Sequence, residues 1–230
     1  RGALHPVADP SAANPRTAGR EIPRGVVRPQ QALWLALGAG AVFLLACRLL
    51  SPLCFWLGLP TLAWLCGYSY AKRFSSLCHV WLGLALGLSP VAAWLAADGA
   101  FGPRLWTPVA LGAAVALWVA GFDVLYACQD DAFDRARGLH SLPARLGRGA
   151  AMWASRGAHA LALAGFAAFG ALAGLGAAYA VGLALAAGLM VWQHRLLRPD
   201  DLSRIQAAFF TANGAIAVAM FAAGCVDLYL

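Results

Sequence analysis

The sequence predicts an all-α, polytopic membrane helix bundle. Hydrophobic residues occupy 61% of the 230 positions and charged residues 12%, which is about half the charged fraction of a soluble domain. Apolar runs of about twenty residues recur, and a run of that length can cross a bilayer as a helix. Basic residues gather in alternate connections between these runs. Together these three observations exclude an ordinary soluble domain.

Seven apolar runs define the predicted spans, and a cytoplasmic segment over residues 1–30 precedes them. The spans cover residues 31–50, 53–70, 77–97, 105–126, 153–172, 177–194 and 205–228. Only Gly174–Gly176 separates the fifth span from the sixth, so one long kinked helix is an alternative there. Small residues are abundant in the last three spans, and they let membrane helices approach closely. Residues 31–230 are therefore expected to form one closely packed transmembrane domain.

The basic residues predict the orientation of the spans. Fifteen of the 17 lysines and arginines fall on one side, whereas Arg48 and Arg104 fall on the other. Cytoplasmic connections attract Lys and Arg, so the basic side is predicted to face the cytoplasm, as in a bacterial inner membrane. No apolar signal-peptide core occurs before the first span, and the first residue is Arg1, as in a fragment of a longer chain.

The six cysteines predict packing roles. They are Cys47, Cys54, Cys66, Cys78, Cys128 and Cys225, mostly within apolar runs and without CxxC spacing. Small thiol side chains in such runs behave as hydrophobic residues, and the spacing does not favour a metal site or a disulfide framework.

A charged segment, DVLYACQDDAFDRARGLHSLPARLG, follows the apolar part of the fourth span. Asp123, Asp130 and Asp134 are spaced by seven and four residues. On one continuous helix this spacing places the three carboxylates on nearly one line, with Asp131 well off it. An ionisable residue within a span, such as Asp123, is a functional candidate.

Aligned carboxylates repel one another unless a cation lies between them. Mg²⁺ prefers oxygen ligands and is typically held by one or two carboxylates together with substrate phosphates. The pattern therefore favours a metal–phosphate site. The alternative is a solvated loop in which the aspartates pair with Arg135 and Arg137.

A second cluster, Tyr68, Lys72 and Arg73, lies at the cytoplasmic end of the second span. Tyr68 and Lys72 are four residues apart and share a helix face. Lysine offers a point charge to a phosphate, and arginine can bind two of its oxygens. The alternative is an interfacial anchor, because Tyr, Lys and Arg are common at membrane edges. With the aspartates on the same side, the cluster favours a magnesium diphosphate whose tail lies in lipid.

These motifs resemble the UbiA superfamily of intramembrane aromatic prenyltransferases. The aspartate segment resembles the family's second aspartate-rich motif, in the form of the bacterial subgroup described as 4-hydroxybenzoate polyprenyltransferases. YSYAKRFSSLCHVWLGLALGLSP resembles the segment between the two motifs, including Gly83 and Pro90. NPRTAGREIPRG, over residues 14–25, resembles the stretch after the first motif.

The resemblance implies a nine-helix fold that binds Mg²⁺ and a polyprenyl diphosphate and transfers the prenyl group to an aromatic acceptor in the bilayer. No nucleic acid is implied. Asp130 and Asp134 match metal-binding aspartates, and Asp123 matches the upstream aspartate of the motif. The implied catalytic residues are Asp123, Tyr68, Lys72 and Arg73, and the implied substrate-binding residues are Tyr68, Lys72, Arg73 and Arg137.

The first aspartate motif of the family is broken in this chain. Without a gap, its Asn and two Asp positions fall on Ala3, Val7 and Ser11. With two residues lost after Ser11, His5 would replace the Asn and Asp9 would match the first Asp. Two upstream helices of the family are also missing. We therefore expect a truncated chain with impaired transfer; supply of this half-site by another subunit is the alternative.

Other functions stay open at this point. Intramembrane aspartates also occur in small transporters and channels, although no internal repeat is visible, and a non-catalytic scaffold is a further alternative. Within the family, the acceptor could be 4-hydroxybenzoate for ubiquinone, a naphthoate or futalosine-type intermediate for menaquinone, homogentisate or a porphyrin. His79, His140 and His159 lie on the cytoplasmic half, and the sequence assigns none of them as a base.

Overall fold

The computed structural model describes Asn14 and residues 16–229, and this part of the chain contains helices and no strand. The all-α prediction is confirmed. In chain order the helices are α1 (Pro29–Leu50), α2 (Pro52–Ala71), α3 (Cys78–Asp98), α4 (Trp106–Ala127), α5 (Asp131–Ala136), α6 (Leu142–Leu146), α7 (Arg148–Ala173), α8 (Ala177–Arg195) and α9 (Ala212–Tyr229). A 3₁₀ turn, Pro103–Leu105, precedes α4, and a π-helical turn, Ala207–Thr211, precedes α9.

The seven long helices correspond to the seven predicted spans. Six of them are long and apolar enough to cross a membrane. The exception is α2, which contains Pro60, two tryptophans and two tyrosines. The chain is thus a polytopic membrane protein. Helix α7 begins at Arg148, five residues before the predicted start at Trp153, because an apolar pattern does not register the polar first turns of a helix.

The chain divides into two compact units, residues 1–59 and 60–230. In the first unit, α1 has no buried residue, and apolar side chains such as Trp34 and Leu49 are exposed, as lipid-facing side chains would be. Ser51 Oγ accepts a hydrogen bond from the Cys54 amide at 3.0 Å and so caps the first turn of α2.

In the second unit, α4 packs against both α3 and α7, and α8 packs against α7 and α9. Small residues allow the close contacts. A Cβ atom on Gly83 would overlap the carbonyl of Ala116, and one on Gly87 would overlap that of Gly112. The backbones of α3 and α4 therefore touch, as small residues at membrane helix interfaces permit.

The interior of the second unit contains two apolar clusters. The first lies where the C-terminal end of α4 meets the N-terminal end of α7 and the connection from α8 to α9. It consists of Val124, Leu125, Cys128, Ala151, Met152, Leu197, Ile205 and Ala208. The second joins α4, α7, α8 and α9 and consists of Ala114, Ala162, Phe166, Ala186, Met190 and Ile216. The first cluster supports the connection that carries the aspartates. The cysteines are all free thiols, and Cys78 and Cys128 are buried.

Two expectations about helix continuity are wrong. The alternative of one kinked helix over the fifth and sixth spans fails because α7 ends at Ala173 and Gly174 adopts φ +68° as its C-cap, a conformation that glycine adopts readily. The single line of aspartates fails because α4 ends at Ala127 and a new helix begins at Asp131. Asp123 is therefore on a different helix from Asp134.

Candidate functional site

The predicted site residues lie on three elements of the second unit. Tyr68, Lys72 and Arg73 are at the end of α2, Asp123 is in the last turns of α4, and Asp130 and Asp134 flank the start of α5. The positions predicted for the first aspartate motif, Ala3, Val7 and Ser11, lie outside the described residues, as do the alternatives His5 and Asp9.

An ion pair joins two of these elements. Lys72 Nζ lies 3.0 Å from Asp134 Oδ2. The Asp134 side chain is 2% exposed and the Lys72 side chain 34%. Oδ1 of Asp134 has no hydrogen-bond partner among the described residues. One carboxylate oxygen is therefore held by a cation, and the other retains its capacity to bind one.

Asp130 occupies the N-cap position of α5 and is buried. Its carbonyl oxygen accepts a hydrogen bond from the Asp134 amide at 2.7 Å. The two aspartates are thus one helical turn apart, as predicted, even though the continuous helix from Asp123 is absent. This turn brings two buried carboxylates into the same short segment.

Asp131 pairs with Arg135, as the solvated-loop alternative expected, and also with Arg148, which that alternative did not include. Its Oδ2 accepts from Arg135 Nη2 at 2.6 Å, and its Oδ1 accepts from Arg148 Nη2 at 2.8 Å. Arg148 also donates to the carbonyl of Pro199 at 3.2 Å. Both oxygens of Asp131 are engaged with arginines, so this carboxylate joins α5 to α7.

The other predicted basic residues are more exposed. The Arg137 guanidinium lies over the Phe133 ring at 5.6 Å, and the Arg73 guanidinium lies over the Tyr70 ring at 5.0 Å. Among the described residues Arg137 has no ion pair with an aspartate, contrary to the loop alternative. Both cations remain accessible to a ligand. Tyr68 is half-buried.

Asp123 has a partner that the sequence analysis did not assign. Its Oδ2 lies 2.7 Å from Nδ1 of His79, which is 2% exposed at the first turn of α3. Nε2 of His79 accepts a hydrogen bond from the Leu142 amide at 3.2 Å. The sequence assigns His79 no role, and the LCHVW pattern gives no sign of these partners because they are 44 and 63 residues away.

The segment GLHSLP is bound to the same region. The His140 amide donates to the Lys72 carbonyl at 2.7 Å, and Cys78 Sγ lies 3.7 Å from the His140 carbonyl. Ser141 Oγ accepts from the Ala144 amide at 3.4 Å and caps α6. The connection from α5 to α6 is therefore attached to the residues that carry Lys72 and His79.

The donor set fits a hard divalent cation that shares its ligands with a phosphate. Asp130 and Asp134 supply two carboxylates, which is the number that Mg²⁺ usually takes from protein in phosphate sites. The described residues contain no group of three or more His, Cys, Asp or Glu side chains able to hold a metal, so substrate oxygens and water would complete the shell. Burial raises the pKa of the nearby Cys128 thiol to about 11, which disfavours a thiolate ligand.

The fold and the site together define the class of protein: a polytopic helical membrane protein. Its site combines buried aspartates with basic side chains near the ends of α2 and α4. The model of the UbiA prenyltransferase family matches residues 9–215. The 4-hydroxybenzoate octaprenyltransferase of Aromatoleum aromaticum is 31% identical over 215 residues, which cover 92% of this chain and 70% of that protein.

Two further similar proteins support the same family. The 4-hydroxybenzoate octaprenyltransferase of Nitrosospira multiformis is 32% identical over 86% of this chain and 67% of its own length. The apo structure of a UbiA homologue from Aeropyrum pernix K1 is 35% identical, with a TM-score of 0.84, over 95% of this chain and 80% of that one. This chain belongs to the UbiA prenyltransferase family and is by class a prenyltransferase, as the motifs predicted.

Proposed function

We propose that this protein transfers a polyprenyl group from a polyprenyl diphosphate to an aromatic acceptor resembling 4-hydroxybenzoate, in quinone biosynthesis. The observation that carries the proposal is the Lys72–Asp134 ion pair beside buried Asp130. It supplies both charge types that a metal-bound diphosphate needs, in a chain whose relatives are named 4-hydroxybenzoate octaprenyltransferases.

Asp130 and Asp134 are the residues that would hold Mg²⁺. When bound, the metal would stabilise the negative charge that develops on the departing diphosphate. Lys72 is one-third exposed, so its ammonium group can contact a phosphate oxygen while it remains near Asp134. Arg73 and Arg137 are exposed cations that can bind further phosphate oxygens.

Tyr68 and Asp123 are proposed to act at the reacting end of the substrates. The Tyr68 hydroxyl can donate a hydrogen bond to a bridging or terminal phosphate oxygen. Asp123 carries a carboxylate inside the apolar part of the chain, where charge interactions are stronger than in water. A carboxylate placed there can stabilise the allylic cation and orient the acceptor. The basic side of the protein, and with it this site, is proposed to face the cytoplasm.

Low turnover forms part of the proposal. The ungapped positions of the first aspartate motif are Ala3, Val7 and Ser11, none of which supplies the carboxylate that the motif uses for Mg²⁺. Diphosphate binding would then depend on the second motif alone. We expect slower transfer than in a relative with two complete motifs.

A reconstituted transfer assay tests the function. The purified chain in lipid nanodiscs is given a labelled polyprenyl diphosphate and, in parallel, 4-hydroxybenzoate, a hydroxynaphthoate or homogentisate. We expect prenylated product with the first acceptor, dependent on Mg²⁺ and abolished by EDTA. The double variant Asp130→Asn/Asp134→Asn should lose both product and Mg²⁺-dependent diphosphate binding. The matched control Asp201→Asn, in an exposed turn, should behave as the parent.

Transfer that persists in the double variant would refute the assigned metal residues. Turnover equal to that of a relative with two complete aspartate motifs would refute the proposed impairment.

A further inference from the structure

His79 satisfies both of its ring nitrogens in a way that fixes one tautomer. The Leu142 amide can only donate, so Nε2, 3.2 Å away, must be the acceptor. An acceptor nitrogen carries no proton. The remaining proton therefore lies on Nδ1, which donates to Asp123 Oδ2 at 2.7 Å. Both contacts are satisfied together by the neutral Nδ1–H tautomer of the imidazole.

This imidazole connects three elements that carry the candidate site. His79 is on α3, Asp123 on α4, and Leu142 is the first residue of α6. Two residues before Leu142, the His140 amide binds the Lys72 carbonyl. The ring that fixes Asp123 therefore also fixes the segment that contacts the backbone of Lys72.

Asp123 is left with one orientation and one available oxygen. Oδ2 is engaged by His79, whereas Oδ1 has no hydrogen-bond partner within the described part of the chain, and the side chain is 17% exposed. A carboxylate held by one oxygen has lost rotational freedom, so the other oxygen points in one direction. That is the requirement for a group that must meet a reacting atom at a defined distance.

We propose that His79 is a positioning residue for prenyl transfer: it holds the Asp123 carboxylate in one rotamer, and it holds the GLHSLP segment against Lys72. This inference rests on the proposed function for its kinetic part, but not for its structural part. The two hydrogen bonds have separate consequences. The bond to Asp123 should affect kcat, and the bond to Leu142 should affect the KM for the prenyl diphosphate.

Two substitutions separate these bonds. The Asn amide nitrogen reaches the position of Nδ1, so His79→Asn keeps the donor to Asp123 and loses the acceptor for Leu142. The Gln amide oxygen reaches the position of Nε2, so His79→Gln keeps the acceptor and loses the donor. We expect His79→Gln to lower kcat about 10- to 100-fold, as the loss of an outer partner of a site residue does, with little change in KM. His79→Asn should mainly raise KM.

A double-variant cycle tests whether His79 acts on kcat through Asp123. In an Asp123→Asn background, His79→Gln should have no further effect on kcat, because the residue that it positions is already lost. Equal effects of both His79 variants on kcat and KM, or additive effects in the cycle, would overturn the positioning role.

The tautomer can be measured without any activity. Nitrogen-15 spectra of the parent in nanodiscs, with the His79 signal identified by its absence in His79→Gln, should show Nδ1 protonated and Nε2 unprotonated near pH 7. A cationic ring, or the opposite tautomer, would refute the inference. If no acceptor is prenylated but the predicted tautomer is found, the proposed function fails and the arrangement around His79 stands.

Discussion

Asp131 and Asp134 are both buried aspartates on the same short helix, yet their surroundings differ. Asp131 has an arginine on each oxygen, at 2.6 and 2.8 Å. Asp134 has Lys72 on one oxygen at 3.0 Å. Guanidinium groups that engage both oxygens leave the Asp131 carboxylate no oxygen for a metal, whereas the lysine of Asp134 leaves one available.

Asp131 is therefore a structural carboxylate, whereas Asp134 is a candidate metal ligand. The arginines of Asp131 come from α5 and from α7, so the contacts attach the connection to the bundle. The lysine of Asp134 comes from the end of α2, beside the other predicted phosphate-binding residues. Residue type and burial are the same at the two positions, so the number of engaged oxygens, and not the residue itself, indicates which aspartate can bind a ligand.

The largest expected effect is on transfer by Asp134→Asn. The amide keeps the size of the side chain but lacks the charge that would hold a cation, so we expect transfer to fall about 100-fold, the scale of losing one charge-stabilising group in an active site. The unfolding midpoint should change little because Asn can still accept from Lys72. Initial rates in nanodiscs and thermal unfolding measure the two quantities. A variant that retains the parent rate would remove Asp134 from the site.

Asp131→Asn should show the opposite pattern. It leaves Arg135 and Arg148 without their carboxylate, but these side chains are 52% and 33% exposed. We therefore expect a loss of about 1–2 kcal/mol, below the roughly 3–5 kcal/mol of a fully buried pair, and a midpoint lower by about 2–8 °C. Transfer at a temperature below the transition should stay within about threefold of the parent. A loss of rate without a loss of stability would show that the comparison is mistaken.

Arg137→Gln should give the smallest change. Arg137 is exposed and lies over Phe133, with no carboxylate partner in the part of the chain that the structure describes. If it contacts a phosphate from the surface, its removal should raise the KM for the prenyl diphosphate about two- to fivefold, the size of one exposed ionic contact. Added salt should reduce the difference between variant and parent. An unchanged KM at low salt would exclude Arg137 from substrate binding, with Arg145→Gln as the exposed arginine control.

The long helices could be predicted from the sequence because each is an apolar run bounded by polar or glycine-rich connections. The end of α4 could not. No glycine or proline lies between Asp123 and Asp134, so the pattern gave no reason to end the helix at Ala127. The one-turn relation of Asp130 and Asp134 was predicted correctly because it depends only on four residues of local helix.

Contacts between residues far apart in the sequence were likewise predictable only in part. Lys72 and Asp134, 62 residues apart, were expected on the same membrane side from charge alone, and their 3.0 Å separation required the structure. The His79–Asp123 contact gave no advance signal, since a histidine near a membrane edge is commonly structural. Their roles in binding and transfer stay predictions until the variants are measured.

The contact between Gly83 and Ala116 has one more consequence. Gly83 follows His79 by one helical turn on α3, and Ala116 precedes Asp123 by about two turns on α4. Where two backbones touch, neither helix can slide or rotate without a steric clash. The close approach at Gly83 therefore restrains how α3 lies against α4, and with it the distance between His79 and Asp123. Substituting Gly83 by alanine should lengthen that hydrogen bond although residue 83 contacts neither side chain.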